Sequence, residues 1–256
     1  MAGLGMLLLL ALLAPLVSWH APDAVDLASR RQAPSLGHPF GTDDLGRDVF
    51  SRVAHGARVS LAIGLLSAAI TGVVGIAIGA SAGFGGGWLD SLLMRITDAM
   101  LAIPRLPLLM VAAAIFEPTI LVLIMLVGAV GWMETARVVR AEFLSLRERS
   151  FVQAARAAGA SPLRVVGRHI LPNAAPAAAV AMTLAVGRGI LLESTMSFFG
   201  VGVQPPQSSW GNMLYQAQST MATEPWVAIF PGLFIFGTVF SVFIIGDRVG
   251  DDGVPA

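Results

Sequence analysis

A run of 25 residues without a charged side chain, from Ser60 to Phe84, most constrains the fold. A helix needs about 20 apolar residues to cross the hydrocarbon core of a bilayer. Similar runs lie on both sides of it, and the 256-residue chain is 55% hydrophobic but only 12% charged. Because a soluble domain has about 25% charged residues, the sequence predicts an all-α membrane protein.

The apolar runs predict six transmembrane helices. The first run is short and contains Pro15, so it is also compatible with the apolar region of a signal peptide. We expect a retained span, because no Lys or Arg precedes it and further spans follow. The third run contains Arg105, which we expect to snorkel to the lipid headgroups from a helix end; the alternative is a functional intramembrane arginine. The six runs are residues 3–19, 60–84, 99–116, 119–133, 174–199 and 226–246.

Glycines in the second run predict a helix contact and a helix end. Gly75, Gly79 and Gly83 recur every four residues, and small residues at this spacing let another helix approach closely. We expect this contact to lie within the chain rather than in a dimer. The glycines at 85–87 are expected to end the helix, and the Pro-Gly pair at 231–232 to divide the sixth span.

A polar insert at residues 138–173 separates the fourth and fifth spans and holds six of the sixteen arginines. Residues 142–158 are almost all good helix formers, and Gly159 supplies a helix end where a left-handed residue is needed. Ser161 and Pro162 can restart a helix as N-cap and first helical residue. The insert is therefore predicted to form a helix, a sharp turn and a second helix.

Further boundaries follow from local signals. Pro172 is expected to end that second helix, and Asn173 to cap the next span. A second polar stretch, residues 20–58, is predicted to contain a helix that starts at Thr42 or Asp43 and lies at the membrane interface. This stretch is expected to be a solvated surface, with contact to a partner as the alternative.

Arginine distribution predicts the orientation. Six spans place both termini on one side, together with the 138–173 insert, Arg95 and Arg248, whereas the loop at 200–223 has no Arg. The positive-inside rule then puts the insert and both termini in the cytoplasm. The stretch at 20–58 opposes this assignment, because it carries five Arg outside and its five Asp count for little in the rule.

Missing residue types exclude several classes of function. All basic residues besides His are Arg, so the chain lacks the Lys of a P-loop and cannot bind ATP in that way. There is no Cys, the four His lie far apart, and the zero net charge gives no sign of nucleic-acid binding. We therefore expect no catalytic site, no metal and no cofactor. The small face of Ala154, Ala155 and Ala158 beside Gly159 can instead lie in a groove of a separate ATPase.

The segment FVQAARAAGASPLRVVGRHILPN, at 151–173, resembles the EAA motif of membrane subunits of binding-protein-dependent ABC importers. The motif has a Glu-Ala-Ala triplet, a Gly after three further residues and a Leu-Pro pair downstream. Gln153 replaces the usual Glu, which keeps the length and removes the charge. Residues 38–61, 131–161, 193–214 and 230–247 also resemble the C-type permease subunit of dipeptide, oligopeptide and nickel transporters.

This resemblance implies a type I ABC importer transmembrane domain in a bacterial inner membrane. Its expected partners are a homologous second permease subunit, two ABC ATPase subunits that bind the ATP, and an extracytoplasmic substrate-binding protein. The chain itself would be a non-catalytic subunit that forms half of the path. The residues assigned to ATPase coupling are Phe151, Gln153, Ala154, Ala155, Ala158, Gly159, Ala160, Ser161, Pro162, Leu171 and Pro172.

Four further residues are assigned to the translocation path: Arg188, Glu193, Met196 and Phe198. The alternatives are a polar lock for Arg188 and Glu193, which are not ideally spaced to pair with each other, and plain packing for Met196 and Phe198. Relatives in this family usually have a longer basic N-terminal tail and a different sequence after Asp247. The expected regions are a first span, external loop and interfacial helix at 1–58, the permease domain at 59–248 and a tail at 249–256.

The expected cargo is a dipeptide or oligopeptide, with nickel or another small solute as the alternative. Two more distant possibilities remain. A stand-alone secondary transporter would show internal repeats around a midplane charge, and a membrane assembly protein would not need the ordered blocks of family resemblance.

Overall fold

The computed structural model describes residues 20–252, so the predicted first span lies outside the described residues. Three helices in this part are long and apolar enough to cross a membrane, and two bent helix pairs raise the number to as many as five. A short 3-10 helix at Leu27–Ser29 precedes the main helices. These are α1 (Val49–Gly85), α2 (Gly87–Ala102), α3 (Arg105–Ile115), α4 (Ile120–Ala129), α5 (Trp132–Arg147), α6 (Ser150–Ala157), α7 (Pro162–Val165), α8 (Leu171–Phe198), α9 (Trp210–Ala217) and α10 (Trp226–Asp252).

The central element is α1, a continuous helix of 37 residues. Asp48 caps it by accepting a hydrogen bond from the Ser51 amide at 2.7 Å. The predicted caps were wrong: Thr42 donates its hydroxyl to the Ser29 carbonyl, and Asp43 accepts from amides of the turn before the helix. The predicted interfacial helix and the predicted 60–84 span are thus one helix, and the expected region boundary at 58/59 falls inside it.

The glycines of α1 form a groove that receives α5. A Cβ atom at Gly75 would lie 2.7 Å from the Thr135 Cβ, and one at Gly79 would lie 2.4 Å from the Ala136 carbonyl oxygen. The predicted helix contact within the chain is confirmed. At the end of α1, Gly86 has a φ of 63°, and the predicted helix end is also confirmed.

We expect Gly79→Ala to lower the stability of the protein, because its methyl group would meet backbone rather than a movable side chain. Overpacking of this kind costs about 1–3 kcal/mol. Gly237→Ala in α10 is the matched control, since nothing lies within 4 Å of a Cβ there. Thermal unfolding of the purified protein should show a lower midpoint for Gly79→Ala only, and equal midpoints would contradict the close contact.

Two predicted spans are bent. The chain turns by 82° between α2 and α3 and by 40° between α4 and α5. The first bend falls at Ile103, which is extended because helical geometry is disfavoured before Pro104. The third span is therefore not one continuous helix, and α5 begins before the predicted insert.

The polar insert contains more breaks than predicted. Two helices, α5 and α6, occupy the 142–158 region, and Ser161 lies at the N-cap position of α7 without a side-chain cap bond. Pro172 does not end the second helix: a π turn at Val166–Ile170 joins α7 to α8. In a π turn the hydrogen bond joins residues five apart instead of four. The helix can therefore continue past Pro172, which has no N–H to donate. Asn173 does not cap a helix, and its amide donates to the His169 carbonyl at 2.6 Å.

The loop at 200–225 contains α9, which the sequence analysis missed. Trp210 at its start is fully buried and donates its indole N–H to the Val53 carbonyl at 3.0 Å. It packs against Phe234 of α10, with the ring centroids 6.0 Å apart. Helix α10 continues through Pro231, so the predicted division of the sixth span was wrong.

Candidate functional site

The predicted coupling residues lie on an exposed helix–turn–helix element, α6 and α7. Val152 of α6 is fully buried in an apolar cluster with Phe143, Val165 and Ile170. Around this anchor, Phe151 is 40% exposed and Leu163 is 86% exposed. Ala155 and Ala160 are half-buried. The exposed residues are Gln153, Ala154, Ala158, Gly159, Ser161 and Pro162, with Leu171 and Pro172 at the start of α8.

The turn after α6 is a complete Schellman motif. Ala160 donates its amide to the Ala155 carbonyl at 3.0 Å, and Gly159 donates to the Arg156 carbonyl at 3.0 Å. Gly159 has a φ of 79°, as this motif requires. Nothing lies within 4 Å of a Cβ at Gly159, so only the backbone conformation demands glycine here.

Two contacts fix the orientation of α6. The Gln153 amide donates to the Glu148 carbonyl at 3.2 Å, across the break between α5 and α6. A carboxylate at this position is only an acceptor and cannot make this bond. The Arg156 guanidinium lies over the Phe84 ring, 5.5 Å from its centroid, and joins α6 to the end of α1.

A second polar group lies between α3, α5 and α8. Arg105 donates to Glu134 at 2.7 Å, and Arg188 pairs with the other oxygen of Glu134. Arg105 therefore has a carboxylate partner within the chain, and its snorkelling to headgroups stays a prediction. Sequence reasoning missed Glu134, which is 29 residues from Arg105 and carries no local signal for the pairing.

Glu193 is a separate, fully buried polar centre. One of its oxygens accepts hydrogen bonds from Ser197 and Ser209, each at 2.8 Å. The other accepts from Ser60 at 3.2 Å and Ser194 at 3.4 Å. This carboxyl thus joins α1, α8 and the start of α9, and it does not contact Arg188.

The two apolar residues assigned to the path differ in exposure. Met196 is fully buried in an apolar cluster with Ile63 and Leu109 of other helices. Phe198 is half-buried at the end of α8, with its ring centroid 5.8 Å from that of Phe199.

The polar stretch at 20–58 folds onto the 200–225 loop. Asp43 accepts from Arg47 at 2.7 Å and from Arg52 at 2.6 Å, and Arg52 is almost fully buried. Arg31 lies 2.9 Å from Glu224 of the 200–225 loop. Three of the five arginines in this stretch are therefore engaged in ion pairs.

Comparisons with known proteins give a consistent result. Residues 75–251 match the family of binding-protein-dependent transport system inner membrane components. A Brucella suis protein named as a peptide permease is 40% identical over 96% of this chain and 82% of its own length. The dipeptide transport system permease protein DppC of Alkalihalophilus pseudofirmus is 38% identical over 95% of this chain and 80% of its own length.

The fold has solved counterparts. An inward-facing structure of the MetNI methionine ABC transporter matches with a TM-score of 0.69, at 19% identity, over 79% of this chain and 96% of the solved chain. A second crystal form of the same transporter gives a TM-score of 0.67. The predicted all-α fold of an ABC importer membrane domain is confirmed.

Proposed function

The chain belongs to the family of binding-protein-dependent transport system inner membrane components, and from this we propose that it forms half of the membrane path of an ATP-driven peptide importer. It is a non-catalytic, multi-pass permease subunit that works with an ATPase and a binding protein. The observation that carries the proposal is the exposed α6–α7 element with its Schellman turn, on which the importer motif falls.

Coupling to the ATPase is assigned to this α6–α7 element, from Phe151 to Pro162. Val152 and the Arg156–Phe84 contact hold α6 on the bundle. The small and exposed side chains at 153–154 and 158–162 are then free to lie in a cleft of the ATPase. Leu171 and Pro172 are the first two residues of α8.

Force would reach the membrane through α8. Because α7, the π turn and α8 form one helical path from Pro162 to Phe198, a shift at the turn moves the helix that carries Arg188. ATP binding would draw two such elements together and open the bundle outward, and hydrolysis would return it inward. A homologous second permease and a second ATPase complete this arrangement, with the substrate-binding protein on the opposite side.

The orientation follows from the same assignment: both termini and the α6–α7 element lie in the cytoplasm, and the 20–58 stretch lies outside. Of the four residues expected on the path, Arg188 and Phe198 are accessible enough to line it. Glu193 and Met196 are fully buried in this protomer and belong to the wall behind the path.

Peptides are the proposed cargo, because relatives at 38–40% identity are named as peptide or dipeptide permeases. The test is uptake of labelled dipeptides and oligopeptides, and of nickel, in a strain that lacks this chain. Restoring the chain should restore ATP-dependent peptide uptake and leave nickel uptake unchanged. Nickel accumulation without peptide uptake would contradict the assignment and favour the metal cargo.

A further inference from the structure

The Arg105–Glu134–Arg188 group lies where both bent spans change direction. Arg105 is the first residue of α3, directly after the 82° bend, and Glu134 lies in the first turn of α5, after the 40° bend. Non-helical backbone at membrane depth is tolerated only where it is buried in protein or lines a water-filled cavity. The bends therefore place these charges beside a protein-lined space.

The group has an excess of positive charge. Two guanidinium groups share one carboxylate, and both oxygens of Glu134 are already used. Among residues 20–252, Arg105 uses one N–H in a hydrogen bond to Glu134, and Arg188 additionally donates to the Leu184 carbonyl at 3.4 Å. Since each guanidinium has five N–H donors, several remain for another acceptor.

The group is also accessible. The side chains of Arg105, Glu134 and Arg188 are 24%, 37% and 36% exposed, although the helices around them are apolar. A pocket lies between them, and Gly131 and Gly189 contribute no side chain to its lining. Buried hydroxyl groups of Ser67 and Thr71, from the middle of α1, complete the lining. The space suits a small polar group rather than a side chain of large volume.

We propose that Arg105 and Arg188 bind the terminal carboxylate of the peptide cargo as it crosses the membrane. The planar guanidinium fork matches a carboxylate with two parallel hydrogen bonds. An uncompensated positive charge at low dielectric attracts an anion strongly. Every peptide with a free C-terminus carries this carboxylate whatever its side chains, so the site recognises the class of cargo and not its sequence. Glu134 is a positioning residue that holds the two guanidinium groups together. This inference rests on the proposed function.

The test uses the complete transporter, with the partner permease, the ATPases and the binding protein, in proteoliposomes. Initial ATP-driven uptake of trialanine is compared with that of trialanine amide at saturating binding protein. Every variant is tested with the same binding protein, whose preference for trialanine or trialanine amide is therefore constant. This preference cancels when the acid-to-amide uptake ratio of a variant is divided by that of the wild type.

We expect Arg188→Gln to lower the acid-to-amide ratio about tenfold, the effect of losing one hydrogen bond to a charged group. Arg105→Gln should lower it as well, and it keeps the test decisive if the first variant assembles poorly. Arg137→Gln is the matched control, because Arg137 lies close to Glu134 on α5 but pairs with exposed Asp98. This control should leave the ratio unchanged.

Unchanged ratios in both Arg105→Gln and Arg188→Gln would overturn the proposal. A second outcome would also overturn the proposal: one variant loses the partner permease on purification, and the other variant has an unchanged acid-to-amide ratio. The guanidinium groups would then be assigned to the subunit interface. The failure of the proposed function looks different, since the wild-type transporter would then carry neither peptide in an ATP-dependent way.

Discussion

Replacing Gly159 by Pro is expected to abolish ATP-driven uptake while the chain still inserts in the membrane. Gly159 has a φ of 79°, whereas Pro is fixed near −65°. Pro also removes the amide that donates to the Arg156 carbonyl. Both bonds of the Schellman turn depend on this geometry, so the substitution reorients α6 relative to α7. Pro cannot adopt the left-handed conformation of Gly159, so the turn must open, and the change falls on the contact surface rather than on the packed bundle.

Gly167→Ala is the control for Gly159→Pro. A Cβ at Gly167 also has nothing within 4 Å, but the residue lies in the helical π turn and has no left-handed φ. It should keep near wild-type uptake. Because the chain has no Cys, Ser161→Cys gives a single position for crosslinking to the ATPase. Undiminished uptake by Gly159→Pro, or no crosslink from this and neighbouring positions, would refute the coupling assignment.

Glu193→Leu is expected to cause the largest loss of stability among single substitutions considered for this chain. The change leaves four serine hydroxyls without their common acceptor in a fully buried site. Each buried polar group left unsatisfied costs about 1–3 kcal/mol, so the total reaches several kcal/mol. Because Ser60 and Ser209 lie on different elements, α1 and α9 should separate from α8 together.

Thermal unfolding of the purified complex measures this effect, with the yield of assembled complex as a second readout. Glu193→Gln keeps an acceptor oxygen of similar reach and should retain much of the stability. Glu117→Leu, on the exposed turn between α3 and α4, controls for the loss of a carboxylate. A Glu193→Leu complex as stable as the wild type would show that the serines do not depend on this carboxyl.

Local signals in the sequence predicted the parts of the site that depend on neighbouring residues. The end of α6 at Gly159 and the start of α7 at Pro162 follow from backbone preferences of single residues. The glycine groove of α1 follows from a spacing of four. The Arg105–Glu134–Arg188 group and the serines around Glu193 did not follow, because their members are brought together only by helix packing across long sequence separations.

The two bends differ in how clearly the sequence indicated them. The bend between α4 and α5 lies at the end of the predicted 119–133 span, where no proline marks it. Pro104 signalled the first bend, but the charge beside it was interpreted as a headgroup contact. Its carboxylate partner on α5 is a contact between helices that this local signal does not contain.

The 20–58 stretch uses three of its five arginines in ion pairs. Arg47 and Arg52 share Asp43, and Arg31 lies against Glu224. These charges belong to a folded layer that also buries Trp210 and the start of α1. The ion pairs stabilise this layer once it is folded, but acidic partners count for little in the positive-inside rule, so the stretch still opposes the proposed orientation.

The glycine groove has a consequence for biosynthesis. Helix α5 carries five charged residues among its sixteen, and a charge at the centre of a membrane helix costs about 2.5–3.5 kcal/mol. Glu134 and Arg137, which precede the polar insert, therefore make the start of α5 unfavourable in lipid unless their partners are already in place. The groove on α1 precedes α5 in the chain, and so do the residues that pair with α5, namely Asp90, Asp98 and Arg105. The surface against which α5 packs is therefore synthesised before α5 leaves the ribosome.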